Sequence, residues 1–330
     1  MLHTCISESY SILRGTHGLP EKFRDYEFEN LEAVGKSIWS KNNHFILSGN
    51  KTFVKIKKIE EFEMTITAQI YPTDLTNSQW DLIKDLLPKP KSGPGKPGRP
   101  TVDIRQAING ILYVNKTGCQ WRMVPKEFGN WNTVYYYFKE WRKAGVWKDI
   151  MDVLTRKERE RQGRNPEPSA GCVDCQSVKT VTQGNEVGYD GGKMIDGRKR
   201  HILVDTLGLI LVIFVTAANV NERIGLKKLL KDYFSKGVRR LRKIWADSGY
   251  SGKGIKNWVY NLKKSWKVDL DVVEKEGKGF NLVKRRWVVE RTFGWLNNFR
   301  RHSKDYEVLP CNSEAMIQIS MISILLRRLA

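Results

Sequence analysis

The stretch RKRHILVDTLGLILVIFVTAA, residues 198–218, contains two apolar, β-branched runs separated by a short turn. Each run (198–206 and 209–218) has the length and composition of a buried strand. Asp205 stands before Thr-Leu-Gly, where an aspartate favours a turn by bonding to nearby backbone, so we assign it a structural role. The second run has about half the length that a bilayer-spanning helix needs. The stretch therefore predicts a sheet hairpin rather than a membrane span.

Further strands and helices surround this hairpin. Residues 171–181 precede it as a strand, and residues 242–250 and 267–274 follow it as strands. Residues 221–234 and about 284–300 have helical periodicity. The order strand, strand, strand, helix, strand, helix, strand, helix predicts an α/β domain of the ribonuclease H-like class, a mixed sheet flanked by helices.

A small all-α region is predicted upstream of this domain. Residues 101–117 and 131–144 read as helices, and the segment between them contains Pro125 and Gly129. Two helices joined in this way are typical of a helix-turn-helix, whose second helix enters the major groove of DNA, although any small helical bundle has the same pattern. The second helix carries three bases suited to phosphate contact, Lys139, Arg142 and Lys143.

Composition shifts divide the chain into segments. Residues 1–63 hold nine basic and nine acidic residues, so the whole net charge of +21 lies after them. We interpret 1–63 as a neutral extension of unknown role, either a small accessory domain or an upstream extension of the reading frame. The Pro-, Gly- and Lys-rich residues 89–100 read as a basic arm, and 156–168 as a charged linker. The predicted units are 1–63, a helical DNA-binding region at 71–155 and a catalytic domain at 166–330.

The charge balance predicts a polyanionic partner. A net charge of +21 and a pI near 9.7 cost self-repulsion unless nucleic acid neutralises them. A basic surface without a partner is the weaker alternative at this magnitude. The sequence has no strongly amphipathic Lys-rich helix, lipidation signal or secretory signal, and its five cysteines are scattered. We expect a cytoplasmic, nucleoid-associated protein that binds DNA.

Three acids lie where acids are costly. Asp174 interrupts the apolar CVDC, Asp247 ends an apolar strand in WADSGY, and Glu290 stands among Val, Phe and Trp on the closing helix. Carboxylates about 4 Å apart repel by roughly 4 kcal/mol per pair at an effective dielectric near 20. Two divalent ions relieve this repulsion, and all-oxygen ligands suit Mg²⁺ or Mn²⁺. Such a metal pair is suited to phosphodiester cleavage or transfer.

Several separated motifs between about Tyr71 and Tyr306 resemble the DDE transposases of the bacterial insertion-sequence-5 group, within the insertion-sequence-4-like superfamily. They are YPTDLTNSQW, GCQWRMVP, WNTVYYYFKEWRKAGVW, DGRKRHILVDTLG, TAANVNER, ADSGY and RRWVVERTFGWL. The resemblance implies DNA recombination: cleavage at the ends of the element and transfer into target DNA with two Mg²⁺ or Mn²⁺ ions. It implies Asp174, Asp247 and Glu290 as the catalytic, metal-binding triad. Joining two ends implies a homo-oligomer.

The glutamate motif of that family is similar to Tyr, two residues, Arg, three residues, Glu, six residues, Lys. Arg286 and Glu290 match it, whereas Val283 replaces the Tyr and Asn297 replaces the Lys. The resemblance therefore assigns DNA contact to Arg286, and the role of the missing Lys passes to Arg300 or Arg301.

Helical spacing predicts how this segment is oriented. Positions 286, 290, 294, 297 and 301 form one stripe, which we expect to face the catalytic cleft. The neighbouring stripe of Val289, Phe293 and Leu296 is expected to pack on the sheet. Gly294, costly inside a helix by roughly 1 kcal/mol relative to Ala, leaves room beside the carboxylate.

Other polar residues are assigned lesser roles. Cys172 and Cys175 lack the second pair of ligands that zinc requires, so we interpret them as small strand residues. Asp190 and Asp196 lie in a Gly-rich loop and are expected to be solvated. The bases at 199–201 are either a solvated edge or phosphate contacts.

Two other functions fit parts of this pattern. A catalytically silent copy would bind DNA without cutting it, which the presence of all three acids disfavours. A general metal-dependent nuclease would share the domain, but it would not require specific end sequences.

Overall fold

A computed structural model describes residues 71–89, 103–181, 186–235, 240–262, 267–273 and 286–330. It also describes two paired two-residue strands, Ile38–Trp39 and Phe45–Ile46. The remainder of the neutral extension (1–63) and the basic arm after Lys89 lie outside the described residues. The chain divides into two compact units, Met1–Thr67 and Ala68–Ala330. The elements below belong to the second unit.

A six-stranded mixed sheet forms the centre of this unit. Its strands are β1 Ala170–Lys179, β2 Gly188–Asp190, β3 Ile195–Asp205, β4 Ile210–Ala217, β5 Lys243–Ala246 and β6 Asp269–Val272. The order across the sheet is β4-β3-β1-β5-β6, with the short β2 also paired to β3. β1, β3 and β4 are antiparallel neighbours, whereas β1, β5 and β6 run parallel. Three antiparallel strands followed by two parallel ones confirm the predicted ribonuclease H-like class.

Eight α-helices are described around the sheet. They are α1 Asn77–Ile83, α2 Ile104–Thr117, α3 Trp131–Lys143, α4 Val146–Arg161, α5 Glu222–Ser235, α6 Lys253–Tyr260, α7 Trp287–Asn297 and α8 Pro310–Leu329. Side-chain caps start the first three: Thr76, Asp103 and Asn130 each accept a backbone N–H of the first turn. Among the described helices, none combines the length and apolar composition needed to cross a bilayer.

The link between α2 and α3 differs from a simple helix-turn-helix. It contains two 3₁₀ turns, Trp121–Met123 and Lys126–Phe128, whereas the motif uses a turn of about three or four residues. Trp121 and Phe128 fold back onto the aromatic side chains of α2 and α3. The helical region is present as predicted, but its two central helices are joined by a packed connection.

The predicted linker at 156–168 is wrong in its first half, because α4 continues to Arg161. Leu154, Glu158 and Arg159 of this helix are buried, and α4 packs extensively on α8. Glu158 accepts two bonds from Arg161, so its charge is paired rather than solvated. A run of alternating charges concealed an amphipathic helix.

The sheet separates two hydrophobic clusters. One face packs against the upstream helices, α7 and α8, and the other packs against α5 and α6. Alternate residues of β1 show this division: Cys172 belongs to the first cluster and Val173 to the second. The upstream helices therefore share a core with the sheet, which fixes their position relative to it.

Asp205 closes the β3–β4 turn, as the sequence indicated. Its Oδ1 accepts the backbone N–H groups of Leu207 (2.9 Å) and Leu209 (2.8 Å). Its other oxygen pairs with Arg159 of α4, and the side chains of both residues are buried. The turn is thereby tied to the upstream helices through a buried ion pair.

The bases of β3 are neither a solvated edge nor phosphate contacts, so both predictions for 199–201 are wrong. Arg200 is 1% exposed and donates to the carbonyls of His302 (3.0 Å) and Lys304 (3.2 Å). Lys199 donates to the Val220 carbonyl (3.2 Å), and His201 is completely buried. The reason is the central position of β3, whose two faces are both covered. Backbone carbonyls from distant segments thus accept hydrogen bonds from Arg200 and Lys199, and His201 bonds to the Thr216 hydroxyl.

The prediction that Asp190 is solvated is also wrong. It accepts from the Ser177 hydroxyl at 2.5 Å and lies 3.3 Å from the Lys199 ammonium. It also accepts the backbone N–H groups of Gly192 and Lys193, which closes the β2–β3 turn. Asp196 is exposed, as expected.

Replacing Gly197 by Ala should destabilise the fold. A Cβ at this position would lie 1.9 Å from the Val178 carbonyl oxygen, inside the β1–β3 ladder. Forcing such an atom into a packed site costs typically about 1–3 kcal/mol. Gly294→Ala is the control, because its Cβ meets no atom within 4 Å and should stabilise α7 by roughly 1 kcal/mol. Urea midpoints measure both, and a Gly197→Ala protein as stable as the parent would contradict the predicted clash.

Candidate active site

Asp174 and Asp247 are neighbours on two parallel strands. Cys172 of β1 pairs with Trp245 of β5, so the residues two positions further on each strand lie side by side on the same face. Asp174 is within β1, and Asp247 follows the end of β5. The face is the one on which α7 packs, and α7 carries Glu290 in its first turn.

The three acids converge on Arg286, the residue before α7. Its Nη2 lies 4.0 Å from Asp174 Oδ2, 4.0 Å from Asp247 Oδ2 and 3.5 Å from Glu290 Oε1. Accessibility increases across the group, from 16% of the Asp174 side chain to 57% of the Glu290 side chain. The structure thus brings together the acids that the sequence singled out, at the border between core and solvent.

Backbone donors orient both aspartates. Asp174 Oδ1 accepts the N–H of Cys175 at 2.7 Å, and Asp247 Oδ1 accepts the N–H of Gly249 at 3.0 Å. In each residue one oxygen is held by the chain while Oδ2 faces the common centre. This arrangement fixes the carboxylate planes before any ligand enters.

The electrostatics of this group favour an added cation. Burial raises the pKa of Asp174 to about 6; the Cys175 N–H opposes this, Asp247 adds to it, and Arg286 lowers it. Three carboxylates face the single charge of one guanidinium, so negative charge is in excess. A positive ion that approaches Oδ2 would lower the cost of ionising Asp174.

The oxygen atoms of the three acids are of the type that a hard divalent ion binds. All three side chains offer carboxylate oxygens, which Mg²⁺ and Mn²⁺ prefer. Within the described part of the chain, no three His, Cys, Asp or Glu side chains are close enough as placed to hold one ion. Arg286 stands between the acids, so ligation requires its guanidinium to move aside. The residues fit the ions in charge and donor type.

Models of two families match this chain. "Putative transposase of IS4/5 family" matches residues 75–151, and "Transposase DDE domain" matches residues 165–325. The insertion element IS402 uncharacterized 16.2 kDa protein of Burkholderia cepacia is 38% identical over 112 residues, which are 33% of this chain and 75% of that protein. The chain belongs to the IS4/5 family of transposases. It is a DDE transposase by its catalytic domain.

Other similar proteins have a lower sequence identity, or the match covers a smaller part of their length. The putative transposase for insertion sequence element IS402 of Burkholderia cepacia is 32% identical over 32% of this chain, and the match spans only 51% of that protein. The Mos1 transposase paired-end complex is 8% identical with a TM-score of 0.20, covering 56% of this chain and 61% of that chain. The Mos1 strand transfer complex is 9% identical with a TM-score of 0.22, over 73% and 80%. The ribonuclease H-like fold is therefore assigned from the strand order of the sheet and not from these two structures.

The two strand cysteines of the transposase are not arranged as zinc ligands. Burial raises the pKa of the Cys172 thiol to about 12 and raises that of Cys175 further above its usual value. Cys172 and Cys175 are three positions apart on β1, so their side chains lie on opposite faces of the sheet. The Cys175 thiol donates a hydrogen bond to Glu222 Oε1, with 3.1 Å between Sγ and the oxygen.

Glu222 and Tyr250 are site neighbours that the sequence reasoning missed. A Cβ on Gly249 would lie 1.9 Å from Glu222 Oε2, so Glu222 packs against the turn that follows Asp247. The buried Tyr250 hydroxyl has no hydrogen-bond partner among the described residues. Burial, then Cys175, Asp174, Glu222 and Asp247, raise its pKa well above the usual value. Their only signal was their place in the motifs TAANVNER and ADSGY.

The three bases of α3 that we predict to contact DNA differ in their exposure and in their partners. Lys143 is exposed and lies 3.1 Å from Glu140, and Lys139 is half-buried. Arg142 is partly buried and donates to Cys311 Sγ at 2.7 Å, which ties it to α8. DNA contact by these three side chains stays a prediction, and the lysines are the better placed.

The residues of the predicted stripe share one helical face only up to Asn297, where α7 ends. Glu290, Gly294 and Asn297 are exposed, and the neighbouring stripe of Val289, Phe293 and Leu296 is buried. The helix ends at Asn297, and Arg300–His302 form a 3₁₀ turn.

This change of direction separates Arg300 from Arg301. Arg300 is exposed, whereas Arg301 is buried, donates to Glu307 Oε1 at 2.7 Å and donates to the Cys119 carbonyl at 3.0 Å. The expectation that Arg301 faces the cleft is wrong, because the 3₁₀ turn directs it into the core. Arg300 keeps the predicted role of a DNA contact.

Proposed function

We propose that this transposase cleaves phosphodiester bonds at the ends of its insertion sequence and joins the freed 3′ ends to target DNA. Asp174, Asp247 and Glu290 would hold two Mg²⁺ or Mn²⁺ ions for this reaction. The observation that carries the proposal is the convergence of these three carboxylates, from two strands and one helix, on a single cationic nitrogen within 4.0 Å.

The chain's own residues prepare the site. Cys175 and Gly249 hold Asp174 and Asp247 through their backbone N–H groups, so the Oδ2 atoms are aimed before substrate arrives. Two divalent ions, when bound, supply activation of the attacking oxygen and stabilisation of the leaving oxygen. The half-exposed Glu290 completes the group from the solvent side, where a DNA strand has access.

Arg286 is proposed to exchange partners during this process. Without a divalent ion its guanidinium offsets part of the negative charge of the acids. Its Nε is buried and has no hydrogen-bond partner among the described residues. A phosphate oxygen of the strand being cut is the partner that suits a guanidinium displaced from carboxylates.

Binding of DNA and assembly form part of the same proposal. The net charge of +21 provides non-specific attraction to DNA. Lys139, Lys143 and Arg300 are the predicted contacts that remain accessible. Joining two element ends would require at least two copies of the chain. A location on the nucleoid in the cytoplasm would follow from these contacts.

End-labelled DNA tests the proposal. The full chain is incubated with a duplex taken from the DNA flanking its coding sequence, with Mg²⁺, Mn²⁺ or EDTA. We expect metal-dependent nicks at defined positions and joined products with target DNA. Equal cutting of an unrelated duplex would indicate a general nuclease. Binding without any cut would indicate a silent copy.

A further inference from the structure

Tryptophan and arginine side chains alternate along α7 beside the site. Arg291 Cζ lies 4.3 Å from the ring centre of Trp287 and 4.8 Å from that of Trp295. Arg328 of α8 covers Trp295 at 4.4 Å. We name these four residues the Arg–Trp ladder. Its first member, Trp287, lies one turn from Glu290.

A basic groove continues the ladder. A cavity of about 240 Å³ is lined by residues that include Lys116, Trp295, Arg327 and Arg328. Lys116 lies 4.8 Å above the Phe299 ring and donates to the Asn298 carbonyl at 2.6 Å. At the other end, Trp287 borders a cavity of about 490 Å³ that also touches Trp245, two residues before Asp247. Trp287 thus connects the ladder with a cavity on the face of the sheet that carries the acids.

These cations are crowded at an electrostatic cost. Burial and Arg327 lower the pKa of Lys116, and burial and Arg328 lower the pKa of Arg291, which Asp205 partly offsets. Arg328 lies 3.9 Å from Glu158, but that acid is already paired with Arg161 at 2.7 Å. The Nε of Arg291 is buried and has no hydrogen-bond partner among the described residues. Crowded like charges of this kind suit an anionic ligand.

We infer that the ladder and groove form a track for the sugar-phosphate backbone of a DNA strand that leads to the catalytic acids. The inference rests on the proposed function, which makes DNA the substrate. Arg291 and Arg328 both lie over the Trp295 ring, at 4.8 and 4.4 Å from its centre, so they compete with a DNA base for stacking on it. The rings hold the guanidinium planes in place. Arg291 Nη2 donates to the Leu207 carbonyl at 2.9 Å, so Arg328, with Lys116 and Arg327, supplies the phosphate contacts. Eight residues of helix span about 12 Å, the axial length of three to four phosphates of one strand.

The salt dependence of DNA binding tests the track. We compare the parent with K116Q/R327Q/R328Q, using a 30-base-pair duplex of mixed sequence in EDTA at increasing NaCl. Each lost phosphate contact removes about 0.9 from the slope of log affinity against log salt, so the slope should fall by about 2.7. The control is K227Q/K228Q/K231Q, which removes the same charge from exposed lysines of α5, two of which also lie over aromatic rings. Its slope should fall by less than one.

A second variant with fewer substitutions tests the track in case the triple variant does not fold. K116Q/R327Q keeps Arg328 and its contact with Glu158, and its slope should fall by about 1.8. Slopes equal to those of the control variant would overturn the track. The assay contains no divalent ion and does not measure cleavage. If the variants show the predicted slopes but the parent never cuts DNA, only the proposed function is contradicted. A parent that cuts DNA while the slopes do not differ contradicts only the track.

Discussion

Asp174→Asn, Asp247→Asn and Glu290→Gln should each reduce cleavage at least a hundredfold while DNA binding persists. The amide keeps the shape of the side chain but removes a charge directed at the centre that Arg286 now occupies. Loss of one preorganised electrostatic contact typically costs about 10²- to 10³-fold in rate. Asp196→Asn, at an exposed acid near the start of β3, is the matched control and should cleave normally. Parental cleavage by any of the three amide variants would exclude that acid from the site.

Loss of activity in Asp174→Asn should not reflect loss of fold. The pKa of Asp174 is raised to about 6 in the folded chain from its usual 3.8, so the fold favours the protonated form. The parent therefore loses stability as pH rises from about 3.8 to 6, and Asn does not. Above pH 6 the variant should be more stable by up to about 3 kcal/mol, and below pH 3.8 the difference should vanish. Urea titrations at several pH values measure this.

Asp205→Ala should destabilise the fold by about 3–5 kcal/mol, the usual cost of removing one partner of a buried ion pair. It leaves Arg159 buried without its counter-ion and removes the acceptor of the Leu207 and Leu209 N–H groups. Asp81→Ala is the matched control, because Asp81 and Lys84 form an exposed pair (61% and 45%) of the kind worth at most about 1 kcal/mol.

The free energy of unfolding of both variants, measured in urea, decides the point. The double variant Arg159→Met/Asp205→Asn should recover part of the loss, since the uncompensated charge is gone. If Asp205→Ala cost no more than Asp81→Ala, the ion pair between α4 and the turn would not contribute to the fold.

The sequence predicted the sheet well because its strands are apolar and bounded by turns. The hairpin expected at 198–218 is β3 and β4, and the acids that interrupt apolar strands lie together. The register explains this success: Asp174 and Asp247 occupy equivalent positions along adjacent parallel strands, so their proximity follows from strand geometry.

Charged segments were predicted poorly, for one physical reason. A cation in a sequence is expected to be solvated, yet Arg200 and Arg301 are buried. They donate to carbonyls 102 and 182 positions away. Similarly, Arg159 of the supposed linker pairs with Asp205, 46 positions away. Such partners are created by tertiary packing, so no local pattern reveals them. Glu222 and Tyr250 were missed because their contacts also come from distant strands and helices.

Titration of the full chain with Mn²⁺, with free ion followed by its EPR signal, tests most directly the claim that the three acids form one divalent-ion site. We predict that the parent and Asp196→Asn bind Mn²⁺ alike, and that Asp174→Asn, Asp247→Asn and Glu290→Gln each bind at least about tenfold more weakly, since each loses a charged ligand. Parental Mn²⁺ affinity in all three amide variants would contradict the claim.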